Sequence, residues 1–463
     1  MSERIPTGRV RRTAKVGGLV GRHTARSYAG RAADVVRSDD AKRSARERRQ
    51  IDAAEQIVEV LGQMKGAAMK VGQVASFIDL SGLPPDARER FQEKLATLRD
   101  SAPRVGFDQM RKVIETDLDA PLDEVFEDFE RDAVAAASIG QVYRARLRDG
   151  RRVAVKVQYP RVAAAVRADL QNLGLLLRAA KRIAPGLDPK AVGAEVRERL
   201  TEELDYEHEA QSQRTFARRF RGHPFALVPS VVTDLSRERV LVTEWVDGIG
   251  FEEVKRLPQA ARDRFGEIVF RFFFGSLYRD GHFSGDPHPG NYLLLDDGRV
   301  AFLDFGMTKS ISRERLALEA AVIRAGLEGD ATGVHGRLVE LGFFSPGDEV
   351  DHESLLAYFQ SLQDWYAEDR EFTITPRYVA RLMTAGTPGR PGWELTRKAR
   401  LPADALLARR MEGLTLGVLG QLGATGNWHR IMREWLYGDG PSSPLGEQEA
   451  DFFGDAGRAR RAA

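Results

Sequence analysis

Three polar residues in the stretch Asp286–Gly306 have the types and spacing of a phosphoryl-transfer site. Asp286 is followed five positions on by Asn291, and Asp304 opens the triplet Asp304-Phe305-Gly306. In a kinase-type site one Asp accepts the nucleophile's proton, an Asn holds one Mg²⁺, and a second Asp holds Mg²⁺ across the β- and γ-phosphates. Mg²⁺ is a hard cation that takes oxygen ligands and keeps several waters, so few protein carboxylates suffice. Two short apolar runs, Tyr292–Leu295 and Val300–Leu303, flank Asp296-Asp297-Gly298 between these residues, which is the pattern of a β-hairpin. A solvated hairpin with acidic ends would carry the same acids. An Asp, an Asn five residues later, a hairpin and D-F-G in that order are much harder to reach by chance than D-F-G alone.

Such a site needs elements that hold the nucleotide, and the chain before residue 250 offers them. The tiny residues Ala135, Ala136, Ala137 and Ser138 precede an alternating strand, Val142–Leu147, and Asp149-Gly150 turns it into a second strand, Arg152–Gln158. Lys156 lies in Val153-Ala154-Val155-Lys156, like the V-A-I-K strand whose Lys meets the α/β-phosphates. A Lys among valines could equally point to solvent; the tiny-residue loop and hairpin before it favour the phosphate role. A loop of Ala and Ser leaves room for its backbone over phosphates, and it is stiffer than a Gly-rich one. Val240–Val246 reads as a buried strand running to Asp247-Gly248, the place of an interlobe hinge. Backbone at Glu244, Trp245 and Val246 would meet an adenine ring there.

Periodicity gives the helices. Ile57, Val60, Leu61, Met64, Ala68 and Val71 recur at helical spacing, Leu170–Ile183 is Leu-rich, and Val192, Val196, Leu200 and Leu204 mark a long helix. The polar face of that helix holds Glu203, Asp205 and Glu209; it is either a solvated acidic face or the source of the Glu that pairs with the strand Lys. Ala87–Arg99 and Arg313–Arg324 are further helices, Pro121–Phe126 a short one, and Ile268–Tyr278 a buried one carrying Arg271.

Composition sets the outer limits. At 463 residues the chain suits two or three lobes. Seventy basic against 68 acidic side chains argue against a nucleic-acid-binding polyelectrolyte, and the lack of Cys excludes disulfides and thiolate metal sites. No apolar run reaches the roughly 18 residues of a membrane span, and no export signal follows Arg11-Arg12. Up to Ala33 the chain is basic, with Glu3 its one acid. A weakly amphipathic helix on an anionic membrane and a mobile solvated tail fit that stretch equally well. From Gly438 the chain is Pro/Ser/Gly-rich and then acidic, which reads as disordered.

With these residues in hand, the chain resembles the ABC1/UbiB/ADCK family of atypical kinases, AarF-like in bacteria. The resemblance covers about residues 50 to 340. It rests on Lys70-x-Gly72-Gln73, the loop Ala135–Ser138, Glu203-x-Asp205 with Glu209, and Asp286-Pro-His-Pro-Gly-Asn291. It implies an α+β, bilobal protein-kinase-like fold, with a small β-rich N-lobe, a helical C-lobe and a helical N-terminal extension. Lys70, Gly72 and Gln73 of that extension would cover the place where a protein kinase binds its peptide, faced by Asp205 and Glu209. By the same resemblance Asp286 is the base, Asn291 and Asp304 hold metal, and Lys156 contacts ATP. Glu203 is then the partner of Lys156, with Glu209 the alternative. Ser284 departs from the His that many bacterial members carry two residues before the catalytic Asp.

The expected organisation is a basic segment over 1–48, the helical extension over 49–130 and an N-lobe with a helical insert over 131–248. A C-lobe over 249–438 and a disordered tail over 439–463 complete it. The expected activity is an atypical kinase or ATPase using ATP (or ADP) and Mg²⁺, in a cytoplasmic protein in peripheral contact with the inner face of a membrane. Since the peptide groove would be covered, the expected substrate or regulator is a lipid, isoprenoid or quinone precursor. A nucleotide-binding pseudokinase and an aminoglycoside-phosphotransferase-like small-molecule kinase are the alternatives.

Overall fold

The computed structural model describes residues 105–137, 139–164, 166–167, 197, 201, 204–387 and 389–454. Lys70, Gly72, Gln73, Ser138 and Glu203 lie outside them, as do the helices expected before residue 105 and those read over 170–183 and most of 192–204. The fold is α+β, as expected. It divides into two compact units, one holding the chain to Glu207 together with Val232–Thr243, the other His208–Val231 and Glu244 onward.

The described part of the first unit opens with helix α1 (Phe107–Leu118) and the single turn α2 (Leu122–Val125). Its sheet contains β1 (Phe126–Phe129), β2 (Ala135–Ala136), β3 (Gly140–Leu147), β4 (Arg152–Gln158) and, after β5 (Ala226–Leu227) of the second unit, β6 (Val240–Glu244). The order is β1-β3-β4-β6, with β2 also paired to β3. Val153, Val155 and Val157 alternate with less buried residues along β4, so one face of the sheet enters the core. The short helix expected over Pro121–Phe126 ends at Val125, because Phe126 turns into β1 and buries its ring. Asp117, near the end of α1, accepts hydrogen bonds from both the backbone N–H and Nε of Arg239, tying the helix to the start of β6.

The second unit is built around α4 (Gln259–Asp280), which follows α3 (Tyr206–Arg219) and β7 (Ile249–Gly250) in the chain. From Phe265 to Tyr278 α4 is buried on nearly every side, as the apolar run Ile268–Tyr278 predicts for a core helix. Beyond it come β8 (His282–Ser284), β9 (Tyr292–Leu294), β10 (Val300–Phe302), β11 (Thr308–Ser310) and α5 (Arg313–Glu328). The strands β5-β10-β9-β7 form one small sheet, and β8 pairs with β11 in another. Phe272 of α4 stacks face to face on Phe302 of β10, ring centroids 3.6 Å apart, so the β9–β10 hairpin is seated directly on the core helix. Later come α6 (Ala403–Leu422), α7 (Trp428–Leu436) and α8 (Pro444–Phe453).

Over Pro444–Phe453, helix α8 corrects the expectation of a disordered tail over 439–463, whose last nine residues lie outside the described ones. Ser443 caps it by accepting the Gly446 N–H, and Leu445 is buried. Arg271 of α4, with no exposed surface, bonds Glu267, Glu434 of α7 and Glu449 of α8. Burial works against the Arg271 charge, but the hydrogen bond to Glu434 and the charges of Glu449, Glu434 and Glu267 outweigh it and raise its pKa. A Cβ on Gly446 would lie 2.6 Å from Arg271 Nη2, so only Gly admits so close a seat. Of the acids of this segment, Glu449 answers a buried cation instead of water.

Candidate active site

In the first unit the tiny-residue loop is the tip of a β-hairpin. Ala135 and Ala136 pair with Val142 and Gln141, and the turn closes with Ala137 N–H donating to the Gly140 carbonyl at 2.9 Å. Gly140 is required here, because a Cβ would collide with the Val157 carbonyl on β4. The register of β3 and β4 sets Lys156 opposite Val142, which is itself opposite Ala135. Ala135, Val142 and Lys156 therefore lie in one cross-strand row on one face of the sheet. Lys156 Nζ is 5.1 Å from the centroid of the buried Tyr206 ring, a cation–π contact that helps aim the ammonium.

The acidic helix is not continuous where the pattern expected it. Leu204 and Asp205 form a break, and α3 starts at Tyr206. Gln158 Nε2 holds the break by donating to the carbonyls of Leu204 and Glu238, and Asp205 Oδ1 accepts the Glu207 N–H. Asp205 is consequently an exposed cap of α3, whereas Glu209 lies one turn inside the helix and is 2% exposed. The two acids do not share a solvated face. The hinge segment lies in the second unit at Glu244, whose N–H donates to Ser230 O at 2.8 Å. Trp245 Nε1 donates to Asp247 Oδ1, and Gly248 lies against the Leu294 carbonyl of β9.

The second unit holds the candidate catalytic-loop residues Asp286, Asn291 and Asp304. Tyr292 pairs with Phe302 across the β9–β10 hairpin, and the Leu303 N–H donates to the Asn291 carbonyl at 3.0 Å. Asn291 thus stands across from the residue that precedes Asp304. The two candidate metal ligands meet at one end of the hairpin, and Asp296-Asp297-Gly298 turns the other. Asp304 Oδ1 accepts the Gly306 N–H at 3.0 Å. A Cβ on Gly306 would stand 3.4 Å from Asp304 Oδ1 and 3.7 Å from Glu209 Oε2, so the Glu209 carboxylate borders the same loop. Phe305 is buried against Phe216 of α3 at 4.9 Å, and Ser212 of α3 bonds Thr308.

These oxygen donors suit Mg²⁺. Mg²⁺ keeps several waters and takes phosphate oxygens, so two protein oxygen donors are enough to place it. Asp304 and Asn291 would hold it, with the buried Glu209 carboxylate beside them.

Asp286, 9% exposed, is held from below by α6. Arg410 Nη2 donates to Asp286 Oδ1 at 3.0 Å, and its Nη1 lies 3.5 Å from the Gly285 carbonyl. Leu407, one turn earlier, packs so closely that a Cβ on Gly285 would meet it at 2.5 Å. Burial, and then the Asp286 charge, push the Tyr292 hydroxyl well above its usual pKa, so it stays protonated beneath the loop. Arg410, Tyr206 and Phe216 are the residues that the sequence reading did not single out. The one visible signal for Arg410 was a pair of Arg residues inside the largely apolar pattern LLARRMEGL.

A family model described as the ABC1 atypical kinase-like domain matches residues 97–337. The chain is 33% identical over 293 residues to atypical kinase COQ8B, mitochondrial, of Rattus norvegicus, covering 63% of this chain and 55% of that one. It is 32% identical over 303 residues to the chloroplastic protein ACTIVITY OF BC1 COMPLEX KINASE 1 of Arabidopsis thaliana, covering 64% of this chain and 44% of that one. The chain thus spans about half the length of the curated relatives it matches. The solved complex structure of Rv3197-erythromycin from Mycobacterium tuberculosis is similar at 32% identity and a TM-score of 0.62, covering 83% of this chain and 95% of that one.

Proposed function

The chain belongs to the ABC1 atypical kinase-like family, and on that premise we propose that it is an ATP- and Mg²⁺-dependent atypical kinase or ATPase. The observation that carries this reading is the hairpin register that brings Asn291 beside Asp304, within a loop system begun by Asp286. Lys156 and the Ala135–Ser138 loop neutralise and cradle the phosphates, and the backbone from Glu244 to Val246 takes the adenine. Bound Mg²⁺ supplies the charge that steadies the β- and γ-phosphates. With Oδ1 engaged by Arg410, Asp286 offers Oδ2 to the attacking hydroxyl or water. The oxygen of that hydroxyl or water bonds to the γ-phosphorus as the bond to the β–γ bridging oxygen breaks. Asp286 takes its proton, and ADP leaves.

The acceptor or regulator in this reading is a lipid or isoprenoid, quinone-related small molecule. The resemblance to kinases in which the motif matched by Lys70, Gly72 and Gln73 covers the peptide groove supports it, with Asp205 and Glu209 as the acids that would face that motif. Glu203 and Glu209 are the two candidates for the ion pair with Lys156. The protein works in the cytoplasm, in peripheral contact with the membrane; no helix of the described residues is long and apolar enough to cross one. Erythromycin, present in the solved relative's complex, defines a macrolide as the second ligand class to test.

The test is ATP hydrolysis by the full chain, with and without anionic liposomes, quinone-like phenols and a macrolide, beside Asp286→Asn. The expected result is Mg²⁺-dependent turnover that falls at least about a hundredfold in the variant, the scale of a lost general base. Absence of Mg²⁺-dependent turnover in every condition, or unchanged turnover in Asp286→Asn, overturns the reading.

A further inference from the structure

We infer that α8 is a positioning strap: Phe452 and Phe453 at its end set the two elements that carry the metal-side residues of the candidate site. The inference rests on the kinase-like reading for its effect on turnover, but its structural half stands alone.

The anchor is the buried Arg271 cluster described above, which fixes the first part of α8 through Glu449 and the Ser443 cap. Arg279, one helical stretch further along α4, bonds Glu449 Oε1 at 2.8 Å and lays its guanidinium 3.7 Å from the centre of the Phe453 ring. So close an approach over an aromatic face is a cation–π stack. The Phe453 ring then stands edge-on to Phe220, directly after α3, at 5.9 Å, and 5.4 Å from the Arg219 guanidinium. Arg219 is also paired with Asp280, the last residue of α4. The C-terminal end of α3 is therefore clasped between α4 and α8.

Two routes run from this clasp to the metal-side loop. Along α3, Phe220 stacks parallel to Phe216, and Phe216 packs on Phe305 of D-F-G. Ser212 and the buried Glu209 on the same helix border Thr308 and Gly306. The second route starts at Phe452, which stands edge-on to His223 at 4.6 Å. His223 Nδ1 accepts the Ala226 N–H at 3.1 Å and so holds the start of β5. β5 pairs with β10 in parallel, Ala226 opposite Val300, and β10 leads to Asp304. Releasing two rings at one end of the chain thus loosens both the helix that packs on Phe305 and the strand that delivers Asp304. A helix serving only as core would not need its last two residues aimed at these two elements.

The test compares the full chain with Phe452→Ala/Phe453→Ala, which leaves the Arg271 anchor intact. Backbone hydrogen exchange across residues 206–219 should speed up, while exchange at the centre of α4 stays unchanged. The kcat for ATP turnover should fall about tenfold with KM for Mg-ATP within about twofold, the mark of lost alignment at the reacting centre. Phe453→Tyr, which keeps a ring over Arg279, should restore kcat. Val334→Ala lies in a separate core cluster; it should cost stability without moving kcat. Unchanged exchange in α3, or unchanged kcat despite it, overturns the strap. Should the wild-type chain show no turnover at all, the kinase reading fails, and the strap is then decided by exchange in α3 alone.

Discussion

Arg410 Nη2 and Asp286 Oδ1 are 3.0 Å apart, and the two side chains are only 7% and 10% exposed. A buried pair of this kind is weak evidence of net stabilisation, but breaking it leaves one largely buried charge without its partner.

Arg410→Met should therefore destabilise the protein by about 3–5 kcal/mol, measured by denaturant unfolding. Arg410→Lys should recover part of the loss, since Lys brings the charge without the second contact to Gly285. Combining Arg410→Met with Asp286→Asn should cost less than the sum of the single changes, because both break one contact. Strict additivity would show that the pair is not coupled.

Mg-ATP should raise the melting temperature. For a single site the stabilisation is about 2.7 kcal/mol at a hundredfold excess of ligand over Kd. Asp304→Ala should abolish the Mg²⁺-dependent part of the shift and leave any Mg²⁺-independent part in place. A full shift in Asp304→Ala would remove that carboxylate from the metal.

The tip of the β2–β3 hairpin gives two opposed expectations. Ala137→Gly relaxes backbone restriction at the turn, so it should alter nucleotide preference or autophosphorylation while the fold is kept. Gly140→Ala forces a Cβ against the Val157 carbonyl, which is backbone and cannot swing aside. It should destabilise the first unit by about 1–3 kcal/mol, the usual cost of overpacking. Identical melting curves for Gly140→Ala and wild type would contradict the close approach.

The Arg271 cluster should show in the pH dependence. Burial alone would raise the Glu434 pKa, but the hydrogen bond and charge of Arg271 together with Ser442 bring it below the usual value. A carboxylate depressed in the folded state binds its proton more readily when unfolded, so its contribution is present above the unfolded pKa of about 4.3. That contribution is lost as pH falls through the folded value. Wild type should therefore lose stability below about pH 4.3 more steeply than Glu434→Gln, as followed by urea midpoints at successive pH values. Parallel curves would refute it.

What could be read from the chain was local. Alternating valines announced β4, the apolar run around Arg271 announced α4, and Asp296-Asp297-Gly298 announced the hairpin whose register sets Asn291 across from Leu303, next to Asp304. What could not be read was set by partners far along the chain. Glu449 looked solvated because its cation, Arg271, is 178 residues away. Arg410 was not singled out because its carboxylate is 124 residues away. The break at Leu204–Asp205 escaped because apolar spacing runs straight through it, whereas the Gln158 amide that holds it comes from β4. Lys70, Gly72, Gln73, Ser138 and Glu203 stay as expectations, since they fall outside the described residues.

The β9–β10 hairpin has its candidate ligands at one end and an exposed turn, Asp296-Asp297, at the other. Its strands rest on α4 through the Phe272–Phe302 stack. That separation makes the turn a natural insertion point. A short tetracysteine or spin-label sequence placed between Asp296 and Asp297 would add the chain's first thiols or its first radical without touching either ligand. Because the wild-type chain has no Cys, such a label would be chemically unique, and its signal could be followed while nucleotide and lipid are titrated.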